Sequence, residues 1–210
     1  MSPDEFAALH PRLFHLTAPD AYASMQRHGM RSASSLLRLF GTPEPALIET
    51  RRRPTEVVLN APAVGRAVLN DNLPLSEAAL AGCLDDGLLP ADWLAMLNAR
   101  IFFWASEDGL RRLASARMNR GRRRTVLVVD TLRLARAYAP WIDLSPINAG
   151  ATVRRPARRG LATFSPLLAR PYDAWRRQRG RIDRVIEVAV RCDIPDIAAY
   201  VLEVREIGEA

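Results

Sequence analysis

Two ionisable side chains stand in segments that are otherwise apolar, and they are the first candidates for chemistry. His15 lies in Arg12-Leu13-Phe14-His15-Leu16, a short strand-like run two residues before Thr17. Glu187 lies in Val185-Ile186-Glu187-Val188-Ala189-Val190. Burying a carboxylate in such a strand is costly unless a partner or a cleft receives it. By alternation Glu187 shares a face with Val185 and Ala189, opposite Ile186, Val188 and Val190. Each residue also has a plainer reading: His15 as a structural imidazole satisfied by its neighbours, Glu187 as a solvent-facing residue of an edge strand.

Three further clusters carry polar chemistry. Asn148-Ala149-Gly150, followed by Arg154, Arg155, Arg158, Arg159 and Gly160, has the make-up of a phosphate-binding loop with exposed backbone amides, or of a solvated basic turn. Trp175-Arg176-Arg177-Gln178-Arg179-Gly180-Arg181 interleaves an aromatic with arginines, as single-stranded nucleic acid favours; the alternative is a helix end with exposed arginines. Asn70-Asp71-Asn72 is explained by a helix cap. All 30 basic residues are arginine, the net charge is +7 and the pI is about 10.5. Arginine-favouring codons account for the first fact. Phosphate binding also fits, because the guanidinium fork matches phosphate oxygens. The two cysteines, Cys83 and Cys192, lack CxxC spacing, and three histidines without Cys/His pairing argue against zinc. There is no G-x-G-x-x-G and no G-x-x-x-x-G-K-[ST], so Rossmann and P-loop readings lose their main support.

The elements that must hold these residues are legible in outline. With 210 residues, 49% hydrophobic and 25% charged, the chain can bury a full core as one domain, residues 1–210. It has no apolar run long enough to span a membrane. Met1-Ser2-Pro3-Asp4-Glu5 lacks a basic flank and an apolar signal core, which predicts a cytoplasmic location. The first strand leads to a helix capped by Thr17, with Pro19 and Asp20 in its first turn and Gly29 at its end. A second helix starts near Ser32 to Ser35. Residues 42–97 form an insertion predicted as mainly helical from Ala63 onward. Strands follow at Arg100 to Ala105, Thr125 to Asp130, Arg184 to Val190 and Tyr200 to Ile207, with helices over Asp108 to Arg117, Thr131 to Tyr138 and Tyr172 to Arg179. Strands spread along the chain with helices mostly early predict an α+β fold.

At this point the order of elements resembles a family. Phe14-His15-Leu16-Thr17, a following helix and His28-Gly29-Met30 look like the first strand and helix of ADP-ribosyltransferases. Ile101-Phe102-Phe103-Trp104 resembles the family's aromatic strand, and Val185-Ile186-Glu187-Val188 its late strand with the catalytic glutamate. The nearest likeness is to DarT-type DNA ADP-ribosyltransferases and relatives of the RNA 2′-phosphotransferases. It covers about residues 12–40 and 98–207 and leaves the insertion unmatched. The resemblance implies an ADP-ribosyltransferase-like split mixed or antiparallel sheet with NAD as substrate. Glu187 and His15 would be catalytic. His15 and Thr17 would hold the ribose, Phe103 and Trp104 the nicotinamide, and Arg31, Arg38 or Arg112 the pyrophosphate, with Asn148 also on the nucleotide. DNA or RNA is the implied acceptor, in a toxin or defence role with an antitoxin partner. The sequence departs from the pattern in three places. Arg111 and Arg112 come seven and eight residues after Trp104; Phe102, Phe103 or Trp104 replaces the usual tyrosine; and no Q/E-x-E loop precedes Glu187, with Arg184 three residues before it. A non-catalytic nucleotide or nucleic-acid binding module of the same fold is the rival reading, and it hinges on whether Glu187 and His15 face one cleft.

Overall fold

A computed structural model of the protein describes residues 1–19, 21–114, 121–153 and 155–208. Asp20, the end of the helix expected over Asp108 to Arg117, and Arg154 lie outside the described residues. The chain opens on a helix not anticipated from sequence, α1 (Pro3–Leu9). Its start is a reciprocal cap: Ser2 Oγ accepts from the Glu5 N–H at 3.1 Å and the Glu5 carboxylate accepts from the Ser2 N–H at 2.7 Å. β1 (Arg12–Thr17), α2 (Ala21–His28) and α3 (Ala33–Leu39) follow. The middle of the chain gives α4 (Pro45–Glu49), β2 (Val57–Ala61), β3 (Gly65–Leu69), α5 (Glu77–Ala81) and α6 (Pro90–Asn98). Then come β4 (Ile101–Trp104), α7 (Glu107–Ala114), β5 (Arg124–Asp130), α8 (Thr131–Tyr138), β6 (Ile142–Ser145), β7 (Ser165–Pro166), α9 (Tyr172–Arg176), β8 (Glu187–Val190) and β9 (Val201–Ile207).

The architecture is α+β. Seven strands form one sheet in the order β7-β6-β8-β4-β1-β5-β9, with antiparallel neighbours throughout. One face carries the main core, with Leu13, Phe103, Leu127, Val129, Val188 and Val190 under α1, α8 and α9. The sheet is weakest in its middle. β1 pairs with β5 along its whole length, yet only Phe14 and Trp104 are in register across the β1–β4 junction. The two halves therefore splay apart where β1 leaves β4.

Several expectations are corrected. Thr17 does not cap α2. It ends β1 opposite Thr125, because Ala18, preceding Pro19, is biased toward extended backbone and delays the helix to Ala21. The insertion is not mainly helical from Ala63. Residues 57–69 form a hairpin, whose β-branched Val57, Val58 and Val68 favour the sheet and whose Gly65 supplies a φ of +98° after the turn. Asn70-Asp71-Asn72 leaves this hairpin rather than capping a helix. β6 escaped notice because Asp143 breaks its apolar run; that buried carboxylate is neutralised by Arg191 at 3.3 Å and Arg100 at 3.6 Å. Since β6 pairs with β8 from the far side, β8 is interior and Glu187 is not on an edge strand. Trp175 is buried and stacks on Tyr172, and Arg179 and Arg181 both pair with Asp183, so this segment offers no exposed stacking platform.

Gly29 ends α2 at φ +75°, and a Cβ there would meet Pro195 Cα at 2.5 Å. Met30 and Ile194 exchange two backbone bonds of 2.9 Å beside it, so neither chain can withdraw. Gly29→Ala is expected to destabilise the fold by about 2–3 kcal/mol in urea unfolding. Gly41→Ala, at φ +59° with open space around it, is expected to cost only about 1 kcal/mol from backbone strain.

Candidate active site

A cavity of about 350 Å³ opens at the splay between β1 and β4 and is lined by His15, Thr17, Trp104, Asn148 and Glu187 among others. Alternation alone would separate the two ionisable residues. His15 falls on the Leu13 and Phe103 side of the sheet, Glu187 on the side of Ala189, Phe102 and Trp104. Because the sheet is open there, both reach the same space.

His15 is fixed by the opening itself. Its Nδ1 bonds the Phe102 carbonyl at 2.8 Å across the junction. A carbonyl only accepts, so Nδ1 carries the proton and Nε2 of the neutral ring is an acceptor. Burial pushes the imidazole pKa down, against the Phe102 carbonyl, which raises it. The ring is therefore neutral near pH 7. Phe103 packs behind it with ring centroids 5.7 Å apart.

Glu187 is 6% exposed, in register with Trp104 on one side and Ser145 on the other. Its Oε2 accepts from the Ala149 N–H at 2.9 Å. The same residue's carbonyl accepts from Arg159 Nη1 at 2.9 Å and Trp93 Nε1 at 3.2 Å, so the loop after β6 is locked against the carboxyl group. Burial pushes the Glu187 pKa up to about 8, beyond what the Ala149 N–H and the Arg159 charge recover. It is a neutral acid near pH 7 and an ionisable one just above.

Of the residues singled out from sequence, His15, Thr17, Arg31, Trp104, Asn148 and Glu187 all line this cavity. Three do not. Phe103 faces the main core at 1% exposure, because neighbouring strand residues alternate, and Phe102 takes the cavity position instead. Arg38 is exposed on the outer side of α3, next to the buried Leu37. Arg112 is exposed on α7 beside a different depression, shared with Glu107 and Arg205. Arg31 lines the cavity but is ion-paired with Asp193 at 3.0 Å. Two of the loop arginines are also committed: Arg159 is buried on Ala149, and Arg158 pairs with Asp85. Sequence reasoning missed Arg53 and Asn98, which line the cavity, and the clasp of Arg159 and Trp93 on Ala149. It noticed Asn70-Asp71-Asn72 without its meaning; all three line the cavity. Among the described residues no group of three or more His, Cys, Asp or Glu could hold a metal, and no helix is long and apolar enough to cross a membrane.

The chain belongs to DUF7002, a family of unknown function whose model matches residues 11–201, a span that includes both His15 and Glu187. No curated protein matches it.

An acid whose folded pKa of about 8 lies above its ordinary 4.5 keeps its proton in the folded chain while the unfolded chain releases it. Stability should therefore fall as pH rises from about 4.5 to about 8, and level off above that. Glu187→Gln cannot ionise. Urea midpoints are expected to decline less steeply in the variant than in wild type between about pH 5 and pH 8; identical slopes would mean that Glu187 is not held neutral.

Proposed function

We propose that the protein is an NAD-consuming ADP-ribosyltransferase of the ADP-ribosyltransferase fold, with His15 and Glu187 acting on the ribose next to nicotinamide. The observation that carries this reading is the convergence, in one cavity, of a neutral imidazole acceptor and a buried carboxyl group brought by strands on either side of β4. The volume, about 350 Å³, falls in the range of small-molecule sites, about 300–1,000 Å³.

In the reaction the bond between ribose and the nicotinamide nitrogen breaks, and its electron pair leaves with nicotinamide, whose ring loses its charge. The sugar carbon becomes cationic, and an acceptor nucleophile bonds to it and gives up a proton. Such glycosyl transfers pass through an oxocarbenium-like state. A nearby carboxylate stabilises that charge. Glu187 is neutral in the ligand-free protein, but the positive nicotinamide ring favours its ionised form. His15 Nε2 accepts from a ribose hydroxyl, with Thr17 beside it. Trp104 gives the nicotinamide a flat apolar surface. The net charge of +7 favours a polyanionic acceptor, DNA or RNA. That acceptor fits a toxin or defence role, with an antitoxin partner.

Nicotinamide release from NAD by the purified chain, with nucleic acid present, tests the reading. Glu187→Gln is expected to lower kcat by about 10²-fold or more while NAD still binds. kcat/KM of wild type should rise with pH around the free-site pKa of about 8. NAD binding without turnover on any nucleic acid would favour a non-catalytic binding module. No NAD binding by the folded protein would remove NAD as the ligand.

A further inference from the structure

Four arginines line the cavity: Arg31, Arg53, Arg100 and Arg124. Three have their charge matched. Arg31 meets Asp193 at 3.0 Å, Arg100 meets Asp143 at 3.6 Å, and Arg124 meets Glu56 at 2.6 Å. Among the described residues, Arg53 alone of the four has no carboxylate within 4.0 Å. Asp71, whose charge it does feel, is committed to Arg122 at 2.6 Å and to Arg124 at 4.0 Å.

Neutral groups hold Arg53 instead. Nε donates to the Asn70 carbonyl at 3.1 Å, and Nη1 donates to Asn98 Oδ1 at 2.8 Å and to the Ile48 carbonyl at 3.4 Å. Asn98 is itself oriented, its Nδ2 donating to the Glu49 carbonyl at 2.7 Å. The side chain is thus fixed at three points, two in the inserted segment and the third at Asn98 on its border, while Nη2 has no partner among the described residues. Burial pushes the guanidinium pKa down by more than the Asp71 charge raises it, as expected where a cation has given up water without a carboxylate in contact. A preorganised cation on a cavity wall with donors unspent is suited to receive an anion.

We infer that Arg53 is the anion anchor of this cavity, its Nη2 donating to a phosphate oxygen of the bound nucleotide, so that the inserted segment rather than the sheet recognises the phosphate. The inference rests on the reading of the cavity as a nucleotide site, and it survives even where NAD is not consumed. It also gives the insertion a task. Residues between Arg53 and Asn98 supply much of the cavity wall, and Arg53 among them has no carboxylate of the described residues within 4.0 Å.

Calorimetric titration of the full chain with inorganic pyrophosphate and with ADP, at low salt, tests the assignment. Wild type is expected to bind both, and Arg53→Gln to bind each about ten-fold or more weakly. Arg38→Gln removes the same charge outside the cavity and should leave both affinities unchanged. Because Arg53→Gln also removes three structural bonds, phenylglyoxal modification of wild type with peptide mapping gives a second readout: saturating pyrophosphate should protect Arg53. Unchanged affinity in a folded Arg53→Gln, protection at Arg31 but not Arg53, or no pyrophosphate binding by wild type would each overturn the inference. A short single-stranded oligonucleotide that binds through Arg53 where ADP does not would overturn the nucleotide as the source of the phosphate. Arg53-dependent ADP binding without nicotinamide release would uphold the anchor while the NAD reading failed.

Discussion

The hydrogen bond from His15 Nδ1 to the Phe102 carbonyl spans the place where the sheet would otherwise come apart. An interior strand needs its backbone groups paired, and an unpaired buried carbonyl costs about as much as a lost hydrogen bond. β1 and β4 share one registered pair, so the ladder does not satisfy Phe102 there. A side chain does so instead. This exchange of a ladder bond for an imidazole opens the cavity, fixes the ring's tautomer and leaves Nε2 as the group on offer. Structural and chemical readings of His15 are thus not alternatives, since the same bond supplies both.

Glu187 is held by the opposite logic. Everything near it withholds water, and only one backbone N–H and one distant cation offset the loss. A carboxyl group so placed is poorly suited to stabilise the fold in its ionised form. The surrounding layers are nevertheless tightly specified: Ala149 is gripped through its carbonyl by Arg159 and Trp93, and Trp93 stacks on Phe164 at 5.5 Å. Rigid scaffolding around an ionisable group with a displaced pKa is how catalytic acids and bases are prepared, though structural networks displace pKa values too. Glu187 also lines the cavity, a space that a ligand can enter.

Much of this was legible in the sequence. The apolar runs around His15, Phe103 and Glu187 identified three strands, and Gly29 and Ser32 marked helix ends where the structure has them. What failed did so for identifiable reasons. The resemblance assigns Phe103 and Trp104 together, but adjacent strand residues face opposite sides, so the cavity takes Trp104 and Phe102 instead. β6 hides behind Asp143, whose burial depends on Arg100 just before β4 and Arg191 just after β8. α1 is written in Ser2-Pro3-Asp4-Glu5, a capping box, but its seven residues are too few for an apolar period to mark a helix. Arg53 was beyond reach in principle: a lone uncompensated arginine is defined by the carboxylates that do not approach it, and those come from distant parts of the chain.

The absence of lysine takes on a physical meaning once the partners are known. Many of these arginines bind backbone carbonyls as well as, or instead of, acids. Arg52 reaches Leu73, Arg53 reaches Asn70, Arg100 reaches Met96, Arg159 reaches Ala149 and Ala157, and Arg191 reaches Pro140. Four of these carbonyls lie in irregular chain, while Met96 is in the last turn of α6 and Pro140 in a short 3-10 turn, places where carbonyls lack ladder partners. A guanidinium offers five donors in a rigid fork and can hold two acceptors at once, whereas an ammonium is a strongly hydrated point charge that resists this dry role. Codon preference explains why arginine is available, but the geometry explains why it is kept inside. The net charge of +7 is therefore only partly a surface property. Part of it lies in and behind the cavity wall, where Arg53 remains to be matched.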